Sequence, residues 1–480
     1  MSAIKNKLIK GTIWSVLGQM ASLLITLITN IWLARLLSPK EFGQVSIIMF
    51  FITLANVFTE SGLGGALVRK KNASKLDYST VFVVNLLLSI FCFFVLFSFS
   101  GLISKHYNDT TIANLLVVCG CILIINAFQM TQNAKIISDM RFKQKSIYRF
   151  IAVLIGSSVG ITLAYNGFGV WSIVCLQILI AAINTILLWM FEGFYLNLRF
   201  SKKSFKELYG FGINTTLASL LNTGFDNIYQ LILAKYFSMS QTGLYYQAKK
   251  LQDVPGGIIT MLSQSVLFSS LAKLQDNKEA FARAYNKITL YLLVVLGFIS
   301  CFIYIYSKSI VELLYGAQWM GAVFYMKLLT IASFFYMQEN INRIIFKVYN
   351  KTKKILHLEY IKKAIQTISI CLGLYYMSLE VLIIGFVITN SISYFINYFF
   401  SRRIIDSFNW TELLVLFKII LVCVICAFVF EKFANSNFSE ALISLPFFVF
   451  TYCCLLYFMR IINIKKEIVT MFNSYHRKSI

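Results

Sequence analysis

Fourteen mostly apolar stretches, each long enough to cross a bilayer as a helix of about 20 residues, occupy most of this 480-residue chain. They fall at 11–36, 42–68, 79–102, 111–134, 147–165, 168–191, 209–236, 241–272, 284–306, 319–342, 360–377, 379–400, 412–430 and 440–460. Inside lipid a backbone satisfies its own polar groups only as a helix or a closed barrel. The chain has 3 prolines and 24 glycines in all, too few to punctuate the short alternating strands of a barrel. The expected class is therefore all-α integral membrane. Charged residues make up 13% and hydrophobic ones 58%, about half the charge of a soluble domain. That excludes a water-soluble enzyme and a disordered chain. The first stretch is too long for a signal-peptide core and lacks a small-residue cleavage site, so it reads as an anchor.

The formal charge is +24, and its distribution orients the spans. With the N-terminus in the cytoplasm, 34 of the 44 Lys and Arg fall in cytoplasmic loops and tails, and 6 fall on the opposite face. One miscounted helix inverts every later loop, so the asymmetry supports fourteen spans with both termini cytoplasmic. The basic excess reads as contact with anionic membrane lipids and not with nucleic acid. The loops are short, the longest outer one running from 306 to 319, and no G-x-x-x-x-G-K-[ST] occurs. A catalytic loop domain and ATP hydrolysis are excluded, and no cofactor is expected. The ten cysteines lie in apolar runs as small hydrophobes. Cys423 and Cys426 lack any redox or zinc context, and His106, His357 and His476 stand apart from one another, so no metal site is expected.

Sliding the chain by 200 residues aligns it with itself. Leu33, Ala34, Ser38 and Gly43 recur as Leu233, Ala234, Ser238 and Gly243; Ile13, Leu17 and Ile28 recur as Ile213, Leu217 and Ile228; Arg35 becomes Lys235. Six spans intervene, so both copies enter the membrane in the same direction, as a parallel repeat. The expected organisation is a six-helix bundle at 1–200, its repeat at 201–401, and two additional helices with a basic tail at 402–480. Two such halves around a central cleft suit alternating access.

The segments ARLLSPKEFGQVSI (from Ala34), TESGLGGALVRKKNASKLDYSTVF (59–82), LAKYFSMSQTGLYYQAKKLQDVP (233–255) and VLFSSLAKLQDNKEAFARAY (266–285) resemble the Wzx-like oligosaccharide flippases. These form part of the polysaccharide-transport branch of the multidrug/oligosaccharidyl-lipid/polysaccharide exporter superfamily. The resemblance covers most of the first 360 residues and rests on turn motifs that do not specify a sugar. It implies a fourteen-helix flippase of the bacterial inner membrane that turns a polyprenyl-pyrophosphate-linked oligosaccharide to the outer leaflet. The cargo would be a repeat unit of O-antigen, capsule or exopolysaccharide.

Ionisable and amide side chains within spans mark candidate sites, because they are costly in lipid. Asp226 shares a helix stripe with Asn222, Tyr229 and Gln230; it reads as an ion-coupling site or as an interhelical hydrogen-bond partner. Lys249 and Lys250 sit roughly 12 Å inside their helix, with Asp253 a turn later and Pro255, Gly256 and Gly257 as a hinge. As point charges, the ammoniums suit a pyrophosphate or acidic sugar; internal ion pairing is the other reading. Lys327 belongs to the same class, with Gln338 near the same face. Glu339 and Arg343, spaced i,i+4, read as a helix salt bridge or a gate. Glu60 precedes glycines 62, 64 and 65, which permit close packing or gating. Asn126, Gln129 and Asn133 form an i,i+3,i+7 amide face suited to sugar hydroxyls or to helix–helix bonding.

The expected partners are an anionic lipid-linked oligosaccharide, membrane lipids and polysaccharide polymerase machinery, with the chain itself a monomer. Rival readings are a peptidoglycan-precursor flippase, a small-molecule exporter of the same superfamily, and a membrane polysaccharide polymerase or ligase. The last needs a sizeable outer loop that this chain lacks.

Overall fold

The computed structural model describes residues 2–60, 62–70, 72–192, 198–263, 267–406, 410–436 and 438–461. Lys465, Lys466, His476, Arg477 and Lys478 of the tail lie outside the described residues. Seventeen α-helices make up the described chain. They are α1 Ser2–Leu36, α2 Pro39–Glu60, α3 Leu63–Arg69, α4 Lys75–Tyr107, α5 Thr111–Ser138, α6 Phe142–Tyr165, α7 Trp171–Glu192, α8 Lys202–Tyr236, α9 Met239–Leu262 and α10 Phe268–Ala272. The chain continues as α11 Lys278–Ile305, α12 Ser307–Tyr315, α13 Ala322–Val348, α14 Thr352–Tyr375, α15 Leu379–Arg402, α16 Trp410–Ala434 and α17 Phe438–Phe458.

Every apolar window contains a helix, but two windows are divided. The stretch at 42–68 breaks after Glu60, where Gly62 adopts a left-handed φ of 61°, a conformation open to glycine because it lacks a Cβ. The stretch at 241–272 divides into α9 and α10. The outer stretch at 306–319, read from sequence as a loop, is instead α12 and a 3-10 turn, anchored by buried Val311, Tyr315 and Trp319. Period-3.6 burial over two short turns is too brief to stand out from a loop.

Among the described residues, ten helices are long and apolar enough to cross a membrane: α1 (from Leu17), α2, α4, α5, α6, α7, α11, α15, α16 (from Glu412) and α17. The chain is a multi-pass membrane protein. The other long helices, α8, α9, α13 and α14, run 24 to 35 residues, and α8, α9 and α13 carry charges that the sequence marked.

The chain divides into two compact units, 1–246 and 247–480. In the first, α4 packs on α5, α6 on α7, α1 on α6, and α2 lies against α4, α5 and α8. Helix ends are chemically marked. Ser74 and Asp77 form a capping box at α4, and Asn108 closes α4 in the left-handed region. In the second unit α13 packs on α15, α14 on α15, α11 on α13 and α16, and α16 on α17. The last two helices dock on α11: the Tyr452 hydroxyl donates to the Val294 carbonyl at 3.0 Å, and a Cβ at Gly297 would meet Ile419 at 2.6 Å.

The residues of the 200-residue repeat have a common structural use. Ser38 and Ser238 each cap the helix that follows, accepting from the amides of Glu41 (3.5 Å) and Gln241 (3.1 Å). Gly43 and Gly243 meet where α2 and the start of α9 cross. A Cβ on Gly43 would lie 2.0 Å from the Met239 carbonyl oxygen, and one on Gly243 would lie 1.8 Å from that of Pro39. Positions 39 and 239 are themselves 200 apart, so the contact is reciprocal.

Candidate functional site

The first unit contains an open cavity of about 870 Å³. It is lined by α2, α3, α5 and α6 near the ends that carry basic loops, and by α4 and the middle of α8. Its charged lining residues are Glu60, at the last turn of α2; Arg69, at the end of α3; and Lys145, in the first turn of α6. Farther along α5 it is lined by Asn126, Gln129 and Asn133, with Asn85 of α4 beside them. Thr216, Ser219 and Thr223 of α8 add hydroxyls.

The amides are held by one another. Asn184 of α7 donates to Gln129 at 2.6 Å, Gln129 donates to Asn126, and Asn126 donates to Asn56 of α2 at 3.0 Å. This chain ties α7, α5 and α2 together while leaving each carboxamide with unused hydrogen-bond capacity. Asn133 stands outside the chain. Gly64 lies against the Met130 methyl, which a Cβ would meet at 2.7 Å, so the wall here is close-packed.

In the second unit buried charged groups form an ion cluster. Glu339 is fully buried. It accepts from Arg343, from Lys362 Nζ at 3.0 Å and from Ser393 Oγ at 2.9 Å, and Arg343 also reaches Glu359. Two acids and two bases thus join α13 to α14, and the Ser393 hydroxyl ties in α15. The i,i+4 salt bridge expected from sequence exists, as one edge of a three-helix clamp. Lys327 pairs with Glu431 of α16 and lies 5.4 Å from the Tyr304 ring centroid. Gln338 is buried within α13.

The remaining sequence-marked residues gather in neither place. Asn222 and Asp226 are exposed on α8, whereas Tyr229 and Gln230 of the same stripe are buried. Lys249 and Lys250 are half-buried and Asp253 is exposed. Gln252, on the Lys249 stripe, is buried against α13 and donates to Thr330. Helix α9 runs unbroken through Pro255. A Cβ at Gly256 or Gly257 would meet nothing within 4 Å, so these glycines serve no close packing.

Sequence reasoning missed Asn56, Asn85, Asn184, Lys145 and the hydroxyls of α8. A signal existed for the last: Thr216, Ser219 and Thr223 repeat the i,i+3,i+7 spacing of Asn126, Gln129 and Asn133. It also missed Arg402, fully buried against Glu412 and stacked 4.4 Å from the Tyr285 ring centroid; its position at a helix end suggested a loop. Among the described residues no His, Cys, Asp and Glu group is arranged to hold a metal ion.

Comparison with known proteins places this architecture. The chain is 24% identical over 436 residues to a membrane protein of the cps region of Klebsiella pneumoniae, covering 88% of this chain and 90% of that one. It is 24% identical to the lipopolysaccharide biosynthesis protein WzxC of Escherichia coli (strain K12), covering 68% and 67%. Its fold is similar to that of a solved lipid II flippase, MurJ, in an inward closed conformation, with a TM-score of 0.74 at 17% identity over 93% of this chain and 99% of that one. A family profile described as "Polysaccharide biosynthesis protein" matches residues 32–324, more than half of the chain, and the chain belongs to that family.

Proposed function

We propose that this protein is a flippase for lipid-linked oligosaccharide in the bacterial inner membrane. It carries a polyprenyl-pyrophosphate-linked repeat unit of O-antigen, capsule or exopolysaccharide from the cytoplasmic to the outer leaflet by alternating access. It is a transporter, not an enzyme. The observation that carries this reading is the polar, cation-edged cavity inside a membrane-embedded bundle, in a chain of a polysaccharide biosynthesis family. A polar path through protein spares a sugar head group the cost of crossing about 30 Å of hydrocarbon unaided.

In this reading α8, α9, α13 and α14 also span the membrane, making fourteen crossings with both termini cytoplasmic. The halves 1–200 and 201–401 are a duplication to which 402–480 is appended. The reciprocal contact of Gly43 and Gly243 supports that duplication. Lys249, Lys250 and Lys327 serve the anionic part of the cargo, Asn222 and Gln338 bind beside them, and Asn126, Gln129 and Asn133 meet its sugar hydroxyls. Asp226 and Asp253 couple transport to an ion, Glu60 gates the cytoplasmic side, and Pro255 to Gly257 form a hinge. Glu339 and Arg343 act through their clamp. The protein works as a monomer that hands its cargo to polymerase machinery.

The test is deletion of the gene followed by assignment of the lipid-linked glycan to a leaflet. The expected outcome is glycan retained on the cytoplasmic side with loss of surface polysaccharide. Unchanged export overturns the assignment. Arrested cell-wall synthesis with normal surface polysaccharide would instead favour a peptidoglycan-precursor flippase, the reading to which the MurJ-like fold lends weight.

A further inference from the structure

The second unit contains a cavity of about 330 Å³ among α11, α13 and α16, and no charged side chain lines it. Ile331, Phe334 and Phe335 of α13 and Ile419, Ile420 and Val424 of α16 supply apolar wall. The two thiols in the lining turn to backbone carbonyls, Cys301 to that of Cys423 and Cys423 to that of Gly297. The Thr330 hydroxyl is bonded to Met326 and Gln252. Apolar space of this kind does not draw in water. A cavity of about 150 Å³ takes up benzene, so this one suits a hydrocarbon segment on the order of a dozen carbons. Val424 is exposed, as are Leu421 and Phe428 on the same helix. The cavity therefore opens on an apolar flank of a helix long enough to cross the membrane.

An ion pair stands at one end of this space. Lys327 of α13 and Glu431 of α16 are joined; Lys327 lies three residues from Thr330 and Glu431 four from Ala427, about 5–6 Å along each helix. The ammonium is 5.4 Å from the centroid of the Tyr304 ring, which belongs to the lining. The two side chains are 22% and 35% exposed, so a ligand can reach both. The start of α12 steadies this rim: Lys308 and Ser309 donate to the carbonyls of Asn435 and Ala434, acceptors that the end of α16 leaves open.

The hydrocarbon that a bilayer offers is an acyl chain, and its head group must answer to both charges at the rim. A purely anionic head group would meet Lys327 but set its phosphate against Glu431. A zwitterionic one matches the pair, with phosphate on the ammonium and its own cation on the carboxylate. A primary ammonium donates up to three hydrogen bonds, whereas a quaternary one donates none. The carboxylate therefore favours an aminoethyl head group over a choline.

We propose that this cavity seats a resident phospholipid with a zwitterionic, primary-amine head group: one acyl chain fills the apolar space, the phosphate rests on Lys327 and the ammonium on Glu431. The proposal goes beyond the flippase reading and needs only a membrane-embedded chain. The phosphate at Lys327 here belongs to a lipid distinct from the cargo, and the probes separate the two.

The test offers the purified full-length protein an equimolar mixture of phosphatidylethanolamine, phosphatidylcholine and phosphatidylglycerol with identical acyl chains, and native mass spectrometry counts the lipid retained. The wild-type protein should keep phosphatidylethanolamine over each of the others by about tenfold, the equivalent of one hydrogen bond between charged groups. Lys327→Gln with Glu431→Gln, which keeps two groups able to bond each other, should bring that ratio toward one. Ala427→Trp, which fills the cavity, should lower retention of all three lipids. Thermal midpoints report that each variant is folded. The proposal is overturned if the wild-type protein shows no preference, or if the folded double variant keeps it unchanged. It is overturned equally if polyprenyl diphosphate displaces the phosphatidylethanolamine one for one, because the site would then belong to the cargo. None of these results bears on whether deletion of the gene strands the glycan in the cytoplasmic leaflet, so the flippase reading stands or falls separately.

Discussion

Glu339 shows how much a single side chain can decide in this protein. Its carboxylate is fully buried among Arg343, Lys362 and Ser393, and removing one member of a buried ionic set leaves an uncompensated charge, at a cost of about 3–5 kcal/mol. Glu339→Gln should therefore lower the thermal unfolding midpoint of the purified protein sharply. Glu339→Gln with Lys362→Met, which removes a base along with the acid, should recover part of the loss. Lys327 calls for a different test, because its ammonium sits on Glu431. Lys327→Glu should impair transport, and Lys327→Glu with Glu431→Lys should restore it if the pair is a tether. A head-group ligand at 327 would not be rescued by the exchange, and transport by the double variant decides between them. Asp109, in the turn between α4 and α5, offers a pH test. Burial works against its charge, but hydrogen bonds from Thr111 and Gln44 and the nearby Lys40 outweigh burial and hold its carboxyl below the usual range. A depressed folded-state pKa gives stability that is complete above the unfolded value of about 4 and lost as pH falls through the folded one. Amide exchange at residues 108–112 should quicken only in acid below that value.

Among the elements, α2 and α9 carry glycines with opposite uses. A side chain at Gly43 or Gly243 would strike backbone carbonyl oxygens, which cannot rotate away as a flexible side chain can. Gly43→Val or Gly243→Val should exceed the ~1–3 kcal/mol of ordinary overpacking and reduce the yield of folded protein. Gly256→Ala and Gly257→Ala meet open space and should stabilise α9 by roughly 0.5–1 kcal/mol through helix propensity alone. If these glycines act as a hinge, the stabilised variants should transport more slowly. The sequence showed both pairs as glycines in helices. Whether a Cβ has room depends on the neighbouring helix, which periodicity does not reveal. The division of 42–68 after Glu60 was hidden for a related reason: glycines 62, 64 and 65 lie in one apolar run, and only Gly62 takes the left-handed turn.

For the whole molecule, the asymmetry of 34 basic residues on one face against 6 on the other predicts topology directly. Reporters fused after residues 200 and 403 should be active in the cytoplasm, and one inserted near 308 should be active outside; any inversion removes the fourteen-span assignment. The all-helical, multi-pass membrane class was legible in the amino-acid sequence because it depends on summed quantities. Helix length against bilayer thickness and apolar content survive averaging over many residues. Much of the candidate cavity was legible too, since Glu60, Asn126, Gln129 and Asn133 were marked by spacing and by the cost of polar groups in lipid. Only the tertiary structure decided what each polar face meets. It set Lys327 on Glu431, closed Arg343 into a clamp across three helices, and brought the hydroxyls of α8 opposite the amides of α5. A helical period specifies the direction in which a side chain points along its own axis, whereas its partner is chosen by the packing of helices distant in sequence.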